Sequence, residues 1–405
     1  MKSNYQKLAR RLDGVSESAT LRLNGLVQQM RAQGIDIINF TAGEPDFGVQ
    51  EAANEAVSKA LAAKKSKYAP VAGIPALREA VAAKTNVQQP GVAKSQPWKA
   101  ADVVVSNGGK QVIFNALQAL VDPGDTVLIP APYWLSYPEM VKLAGGSPKI
   151  LSTRFEDGYR LQPAALRHAL MDGPVRVLIL NSPSNPTGAM YSRADLAALG
   201  EVIRTTPGAE NLIVISDEIY DRIVLGDVPF TSFLEACPEL RDRTVTVNGM
   251  SKSHAMTGWR IGWSVAPSWM TQALITLQGQ STSGINTLAQ EASVASLQLP
   301  ESAFVPQVES YKKRKNLLRD ALSAATQLKI FDAQGAFYLW IGIGAYLRTG
   351  EDSMGFAERV LQEAKVAVVP GTPFGAKDFL RLSFATDEKS LTEGAARLVR
   401  YLNSY

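Results

Sequence analysis

Between residues 102 and 266 short apolar runs recur, each bounded by turn residues and separated by stretches with helical spacing. The runs at 102–106 (Asp-Val-Val-Val-Ser), 176–181 (Arg-Val-Leu-Ile-Leu-Asn) and 212–216 (Leu-Ile-Val-Ile-Ser) lack polar alternation, the pattern of strands buried on both faces. Further strands are expected up to Ile129 after the turn that begins at Asp122, over 245–247, and from Ile261 onward. Strands alternating with helical stretches predict a mostly parallel α/β sheet. Upstream, 18–33 reads as a helix ended by Gly34, 35–40 as a short strand, and 51–65 as an alanine-rich amphipathic helix. From Pro267 helices dominate: 280–290 opens a long helical region, and 310–325 is basic and amphipathic. Strands at 336–343, 366–369 and 379–384, with helices at 353–364 and 387–402, then read as a smaller α+β unit. The expected division is an N-terminal arm with part of the small domain over 1–45, a large domain over 46–290, and a small C-terminal domain over 291–405.

A chain of 405 residues, 46% hydrophobic and 20% charged, has room for a sizeable core. The net charge of +4 is spread along it, and no Lys/Arg block argues for nucleic acid. Cys237 is the sole cysteine, and His168 and His254 are the only histidines, which excludes an intrachain disulfide and makes a metal site unexpected. Residues 1–14 are polar, and no run of about eighteen apolar residues occurs, so neither a secretory signal nor a membrane span is expected. The expectation is a soluble, cytoplasmic protein.

The stretch 244–263 carries the densest chemistry. Lys252, flanked by Ser251 and Ser253 just past a strand, suits a buried amine whose pKa is depressed by desolvation, and so a nucleophile; a surface lysine beside a turn is the plain alternative. Ser251 and Arg260 add a hydroxyl and a cation suited to a phosphate. Strand 102–106 followed by Asn107-Gly108-Gly109-Lys110 and a helix N-terminus is a second anion site, without the spacing of a Walker A loop or a dinucleotide fingerprint. Asp217, at the end of a buried strand, needs a partner, and Tyr220 follows it. Asn185 is held in a proline-braced turn at the sheet's carboxyl edge, where ligands of open α/β sheets bind. Gly43 and Pro45 mark a sharp turn. Trp134 is open between a core residue and a stacking face, and Tyr68 between a core cap and a ligand contact. Arg381, mid-strand among apolar neighbours, wants a carboxylate from a ligand or from an intrachain salt bridge.

The run Ser251-Lys252-x-x-x-Met256-x-Gly258-x-Arg260 resembles the signature of the class I pyridoxal-phosphate aminotransferases of fold type I. Lys252, Asp217, Tyr220, Asn185, Arg260, Trp134, Tyr68, Gly43 and Arg381 stand in that family's chain order. The resemblance implies an α/β fold-type I transferase using pyridoxal 5′-phosphate. Lys252 would hold the cofactor as a Schiff base and shuttle the proton. Asp217 would pair with the ring nitrogen, Tyr220 with the phenolic oxygen, and Trp134 would stack on the ring. Gly108, Gly109, Ser251 and Arg260 would form the phosphate cup. Asn185 is carried over as a contact to cofactor and substrate. Arg381 would take the substrate's α-carboxylate, and Gly43 would line the entrance. Tyr68 would reach the partner's cofactor phosphate in a homodimer with shared active sites, and amino acids and 2-oxo acids would be the substrates.

The Gly108-Gly109-Lys110-Gln111 segment looks like the prokaryotic aspartate aminotransferase subgroup, some members of which also use prephenate. There Lys110 faces the distal carboxylate; the alternative keeps it on the cofactor phosphate or in solvent. The expected reaction is a ping-pong transfer from aspartate or glutamate to a 2-oxo acid. Ser184 and Gln50 depart from a frequent asparagine and proline, and Gln50 leaves the entrance loop's motion open. The alternatives are an aromatic-, kynurenine- or methionine-preferring aminotransferase, or a lyase of the same fold. A DNA-binding regulator with this fold would need a longer arm before Ile35. His254 reads as structural.

Overall fold

The computed structural model describes residues 9–12, 14–17 and 19–404. The expected helix at 18–33 is Ala19–Ala32; Ser18 and much of the polar stretch 1–14 lie outside the described residues.

A seven-stranded sheet forms the larger layer: β1 Val103–Ser106, β2 Thr126–Ala131, β3 Ser147–Ser152, β4 Val177–Asn181, β5 Ile213–Asp217, β6 Thr244–Gly249 and β7 Gly262–Val265. Its order is β1-β7-β6-β5-β4-β2-β3. Neighbours from β6 through to β3 are parallel, while β7 runs antiparallel to both β6 and β1. The mostly parallel sheet is therefore present, with one reversed strand. The connection 250–261 holds only the single turn Thr257–Trp259 and no α-helix to carry the chain back for a parallel return. β1 and β5 are buried at every position, as their apolar runs require; β6 is buried throughout as well, although Thr244, Thr246 and Asn248 alternate with Val245 and Val247. Edge strand β3 was not anticipated. Its sequence Ser-Pro-Lys-Ile-Leu-Ser leaves three positions exposed, and a strand paired on one side only has no need of an apolar run.

Helices cover the sheet. Gly109–Leu120 turns Val112, Ile113, Ala116 and Leu117 inward, and Arg193–Thr205 begins at a capping box between Ser192 and Asp195. The long helical region expected from 280 is two helices, Ser268–Ser281 and Thr287–Leu297. They part where Gly284 lies against the Ala69 carbonyl with no room for a Cβ. Thr287–Leu297 runs on through residue 290 and packs against Glu51–Ala62 and Pro75–Gln88.

The smaller layer is an antiparallel sheet of β8 Lys329–Phe331, β9 Tyr338–Gly342, β10 Val369–Pro370 and β11 Phe379–Ser383, ordered β10-β11-β9-β8. Helices Val305–Leu322 and Glu388–Leu402 accompany it; Asp387 caps the second. The strand expected at 366–369 is divided. Val366–Ala367 pairs in parallel with Ile38–Asn39, all that remains of the expected strand at 35–40, and Val369–Pro370 joins β11. The core here gathers Phe40, Phe337, Leu382 and Leu398 with Tyr220, Ile223 and Leu225 from the segment after β5. Among the described residues no helix is long and apolar enough to cross a membrane, and no His/Cys/Asp/Glu cluster could hold a metal ion.

Candidate active site

Because β1, β4, β5 and β6 share a direction, their carboxyl ends open on one edge of the sheet. β5 delivers Asp217 there, β4 leads through Asn181 to Asn185, β6 leads to Ser251 and Lys252, and β1 leads to Gly108 and Gly109. Tyr338 on β9, Arg381 on β11 and the Gly43 turn close the opposite side. The resulting cavity of about 420 Å³ is lined by all the candidate side chains of the sequence reading except Gly108 and Tyr68.

Gly108 lies just behind the lining. Its φ of +84° is a conformation natural to glycine, and a Cβ there would collide with the Arg260 guanidinium. Arg260, itself at φ +57°, donates from Nη1 to the Thr257 carbonyl (3.0 Å) and from Nη2 to the Asn107 carbonyl (3.1 Å). The guanidinium is thus held beside the first turn of helix Gly109–Leu120, whose free N–H groups favour an anion. The Lys110 ammonium stands 4.9 Å from the centre of the Trp134 ring, and burial, then the Arg260 charge, lowers its pKa. Trp134 is partly buried, lines the cavity and meets Tyr137 edge to face at 5.3 Å, so it is placed as a wall of the cavity as well as a packing residue.

Asp217 is 4% exposed. Its Oδ2 accepts from the Tyr137 hydroxyl at 2.6 Å and its Oδ1 from the Ile219 N–H at 3.2 Å. Burial nevertheless pushes its pKa up to about 6, against those hydrogen bonds and the Lys252 charge. Such a carboxylate favours a further cationic or N–H partner. Tyr137 was passed over in the sequence although it lies three residues beyond Trp134; its apolar helical setting carries no sign of a carboxylate eighty positions away.

The Lys252 amine donates to the Gly43 carbonyl. Burial, then Arg381, lowers its pKa to about 8, with Arg260 acting the same way and Glu44 and Asp217 opposing. Lys252 is partly buried and lines the cavity, unlike a lysine in open solvent. The Tyr220 hydroxyl is 2.8 Å from that of Tyr338, a second residue that sequence reasoning missed. Asn181 is a third: it lines the cavity, donates to the Asp217 carbonyl (3.0 Å) and accepts from the Asn185 N–H (2.8 Å).

Arg381 is 3% exposed, with its guanidinium over the rings of Tyr338 (4.3 Å) and Phe374 (5.3 Å). Nη1 donates to Asn185 Oδ1 (2.9 Å), Nη2 to the Thr41 carbonyl (3.1 Å), and Nε has no partner. Among the described residues no carboxylate forms a salt bridge with it, so the intrachain ion pair weighed above is absent. A buried fork without an anion is suited to a ligand carboxylate. Tyr68 is 97% exposed and outside the cavity, beside residues 284–288. The site therefore offers an anion cup, a wall of aromatic surface, a buried acid, an amine of depressed pKa and a second anion-binding cation.

The sequence profile of the family described as Aminotransferase class I and II matches residues 35–398. The chain is similar to the aspartate/prephenate aminotransferase of Nitrosomonas europaea, 36% identical over 405 residues, covering 98% of this chain and 100% of that one. It is also similar to the protein of the same name from Cereibacter sphaeroides, 39% identical, covering 95% and 96%. The aspartate aminotransferase of Thermus thermophilus with maleate has the same fold, with a TM-score of 0.90 at 39% identity, covering 98% of this chain and 100% of that one.

Proposed function

The chain belongs to the class I and II aminotransferases, and from that premise we propose that it transfers the amino group of L-aspartate to a 2-oxo acid such as 2-oxoglutarate, with pyridoxal 5′-phosphate as cofactor. One observation carries the substrate reading: Arg381 and Lys110 line a single cavity, and among the described residues neither is paired with a carboxylate. Two such cations suit a dicarboxylate better than an apolar amino acid. Relatives named for aspartate and prephenate support the same choice. Prephenate, a 2-oxo acid with a second carboxylate, meets the same requirement as an acceptor.

The residues fit the cofactor. The cradle at Gly108 and Gly109, closed by Arg260 and Ser251, would hold the phosphate. Asp217 would pair with the ring nitrogen, Trp134 would cover a ring face, and Tyr220 and Asn185 would hold the phenolic oxygen. Lys252 would be the attachment amine. When bound, pyridoxal phosphate supplies an electron sink for the pair left at Cα as the C–H bond breaks.

The rest is done by the chain. Arg381 binds the α-carboxylate with its planar fork and so orients the Cα–H bond. Lys110 binds the distal carboxylate. Lys252 Nζ takes the Cα proton and would pass it to the cofactor carbon that bears the transferred nitrogen; a pKa near 8 suits it to both tasks near neutral pH. With His168 and His254 the only histidines, and His254 buried away from the cavity, the lysine is the group placed for this work. Tyr68, exposed on one subunit, would reach the cofactor phosphate of a partner subunit in a homodimer.

The test is a half-reaction without oxo acid, following the absorbance of the bound cofactor. L-Aspartate should change the spectrum far faster than L-phenylalanine. A preference for phenylalanine would overturn the substrate assignment, and release of ammonia or carbon dioxide without an acceptor would make the protein a lyase.

A further inference from the structure

The turn that carries Lys252 is weakly held by its own backbone. Met250 N–H donates to the Ile261 carbonyl at 3.0 Å. Around Lys252 the bonds are long: His254 and Met256 N–H to the Met250 carbonyl at 3.3 Å each, and Ala255 N–H to the Lys252 carbonyl at 3.5 Å; Trp259 N–H to the Met256 carbonyl, further on, is 3.2 Å. Ala255 has φ +54°, so the turn also includes a left-handed alanine. A reactive amine needs its position defined to within about half an ångström, which side chains must supply here.

His254 supplies it. The imidazole is 1% exposed and packs edge to face on Phe304 at 4.8 Å. Its Nε2 is 2.8 Å from Arg222 Nη1, and its Nδ1 is 2.7 Å from Ser253 Oγ. A guanidinium only donates, so Nε2 is the acceptor and carries no proton. The neutral ring then has its proton on Nδ1 and donates it to Ser253. The charges around the ring hold it in that state. Arg222 abuts it and pairs with Glu301, while Lys84 donates to Asp221 Oδ2 at 2.7 Å, and burial together with Arg222 and Lys84 keeps the imidazole's pKa well below its usual value.

Arg222 lies on the segment that leaves β5, two residues beyond Tyr220 and five beyond Asp217. The imidazole therefore joins the lysine turn to the segment bearing the buried acid and the cavity tyrosine. We propose that His254 is a positioning residue, a neutral imidazole that sets the register of Lys252 against Asp217 and Tyr220 by bridging Ser253 to Arg222. This rests on Lys252 being the reactive amine.

Variants of the holoenzyme separate the two links. His254→Phe keeps a ring on Phe304 and loses both; His254→Gln offers an oxygen near the Nε2 position and keeps the bridge to Arg222; His254→Asn offers a nitrogen near the Nδ1 position and keeps only the contact to Ser253. The readouts are the pH midpoint of the bound cofactor's absorbance, and kcat and KM for L-aspartate, with melting temperature as the measure of folding. In the holoenzyme the titrating nitrogen is the one that would join Lys252 to the cofactor, and when loosened it leaves its dry setting and the neighbourhood of Arg381 and Arg260, both of which disfavour its protonation. H254F and H254N should therefore raise the midpoint by about half a unit or more and lower kcat about tenfold, with little change in KM, while H254Q, which loses only the Ser253 contact, shifts it by less. Should H254F fold poorly, Ser253→Ala, which removes one acceptor oxygen from the turn, should shift the midpoint in the same direction by less. Variants that melt earlier yet keep the native midpoint and kcat overturn the proposal, as does an H254N that behaves as native beside an impaired H254Q. A native protein with no lysine-linked absorbance overturns both this proposal and the cofactor reading beneath it.

Discussion

Lys110 and Arg381 border one cavity but answer to different ends of a substrate. Lys110→Met should raise KM for L-aspartate by about 10–100-fold, the worth of a charge-assisted hydrogen bond, and leave L-phenylalanine nearly unaffected. Arg381→Lys keeps the charge and loses the fork, so KM should rise by about 10–100-fold for both substrates. Steady-state kinetics on the two donors decides it; equal losses in the Lys110 variant would return that residue to the cofactor phosphate. Lys252 gives a pH-dependent signature in protein stripped of cofactor. Its folded pKa is lowered from 10.5 to about 8, so the burden of burying its charge is full below pH 8 and fades as pH rises towards 10.5. Lys252→Met should therefore raise the melting temperature most below pH 8, by a stability gain on the order of 2 kcal/mol, and the gain should shrink above it. A constant difference across that range would mean that the amine is not desolvated. At this scale the legible residues were those whose chemistry is wrong for their neighbourhood: a carboxylate ending an apolar strand at Asp217, an arginine inside one at Arg381. Tyr137, Tyr338 and Asn181 were not legible, because a tyrosine or asparagine is ordinary in its local context and becomes functional only through its partner.

Elements were legible in proportion to how fully they are buried. β1, β4 and β5 needed little tertiary information, since their apolar runs mark strands covered on both faces, whereas β6 alternates threonine with valine and its burial on both faces shows only in the fold. Edge strand β3, the break between the helices at Ser281 and Thr287, and the division of 366–370 between two sheets all depend on what lies alongside. The phosphate cradle is an element-level device of a strand end, a glycine turn and a helix start. Gly108→Ala puts a Cβ at φ +84° against the Arg260 guanidinium. The left-handed strain of about 1–2 kcal/mol falls on the cradle, so the dissociation constant for pyridoxal phosphate should rise about tenfold or more by equilibrium dialysis. Unchanged affinity would mean that this turn does not hold the phosphate.

For the whole molecule, the cavity is made by bringing together two layers that are far apart in sequence. Arg381 reaches Asn185 and Thr41, and Lys252 reaches Gly43, so chain from both ends closes over the sheet's carboxyl edge. The exposed Tyr68 raises the question of a second subunit. Mixing Lys252→Ala with Tyr68→Ala subunits under exchange conditions should restore activity above the sum of the two separate proteins. A mixed dimer has one site carrying both defects and one carrying neither. Strictly additive activity would place Tyr68 within its own subunit or outside the chemistry.

Beyond the order of the candidate site residues, which the family resemblance supplied, the sequence by itself determined the apolar centre of the sheet and singled out Asp217 and Arg381. Those rest on burial and on chemically incongruous residues, both of which leave a mark in local sequence. The tertiary structure decided the reversal of β7, the partners of Asp217, Tyr220 and Arg381, and the state of the Lys252 amine. A hydrogen-bond partner or a depressed pKa is set by which groups come to share a small dry volume, and distant stretches of chain meet there only once the fold has closed.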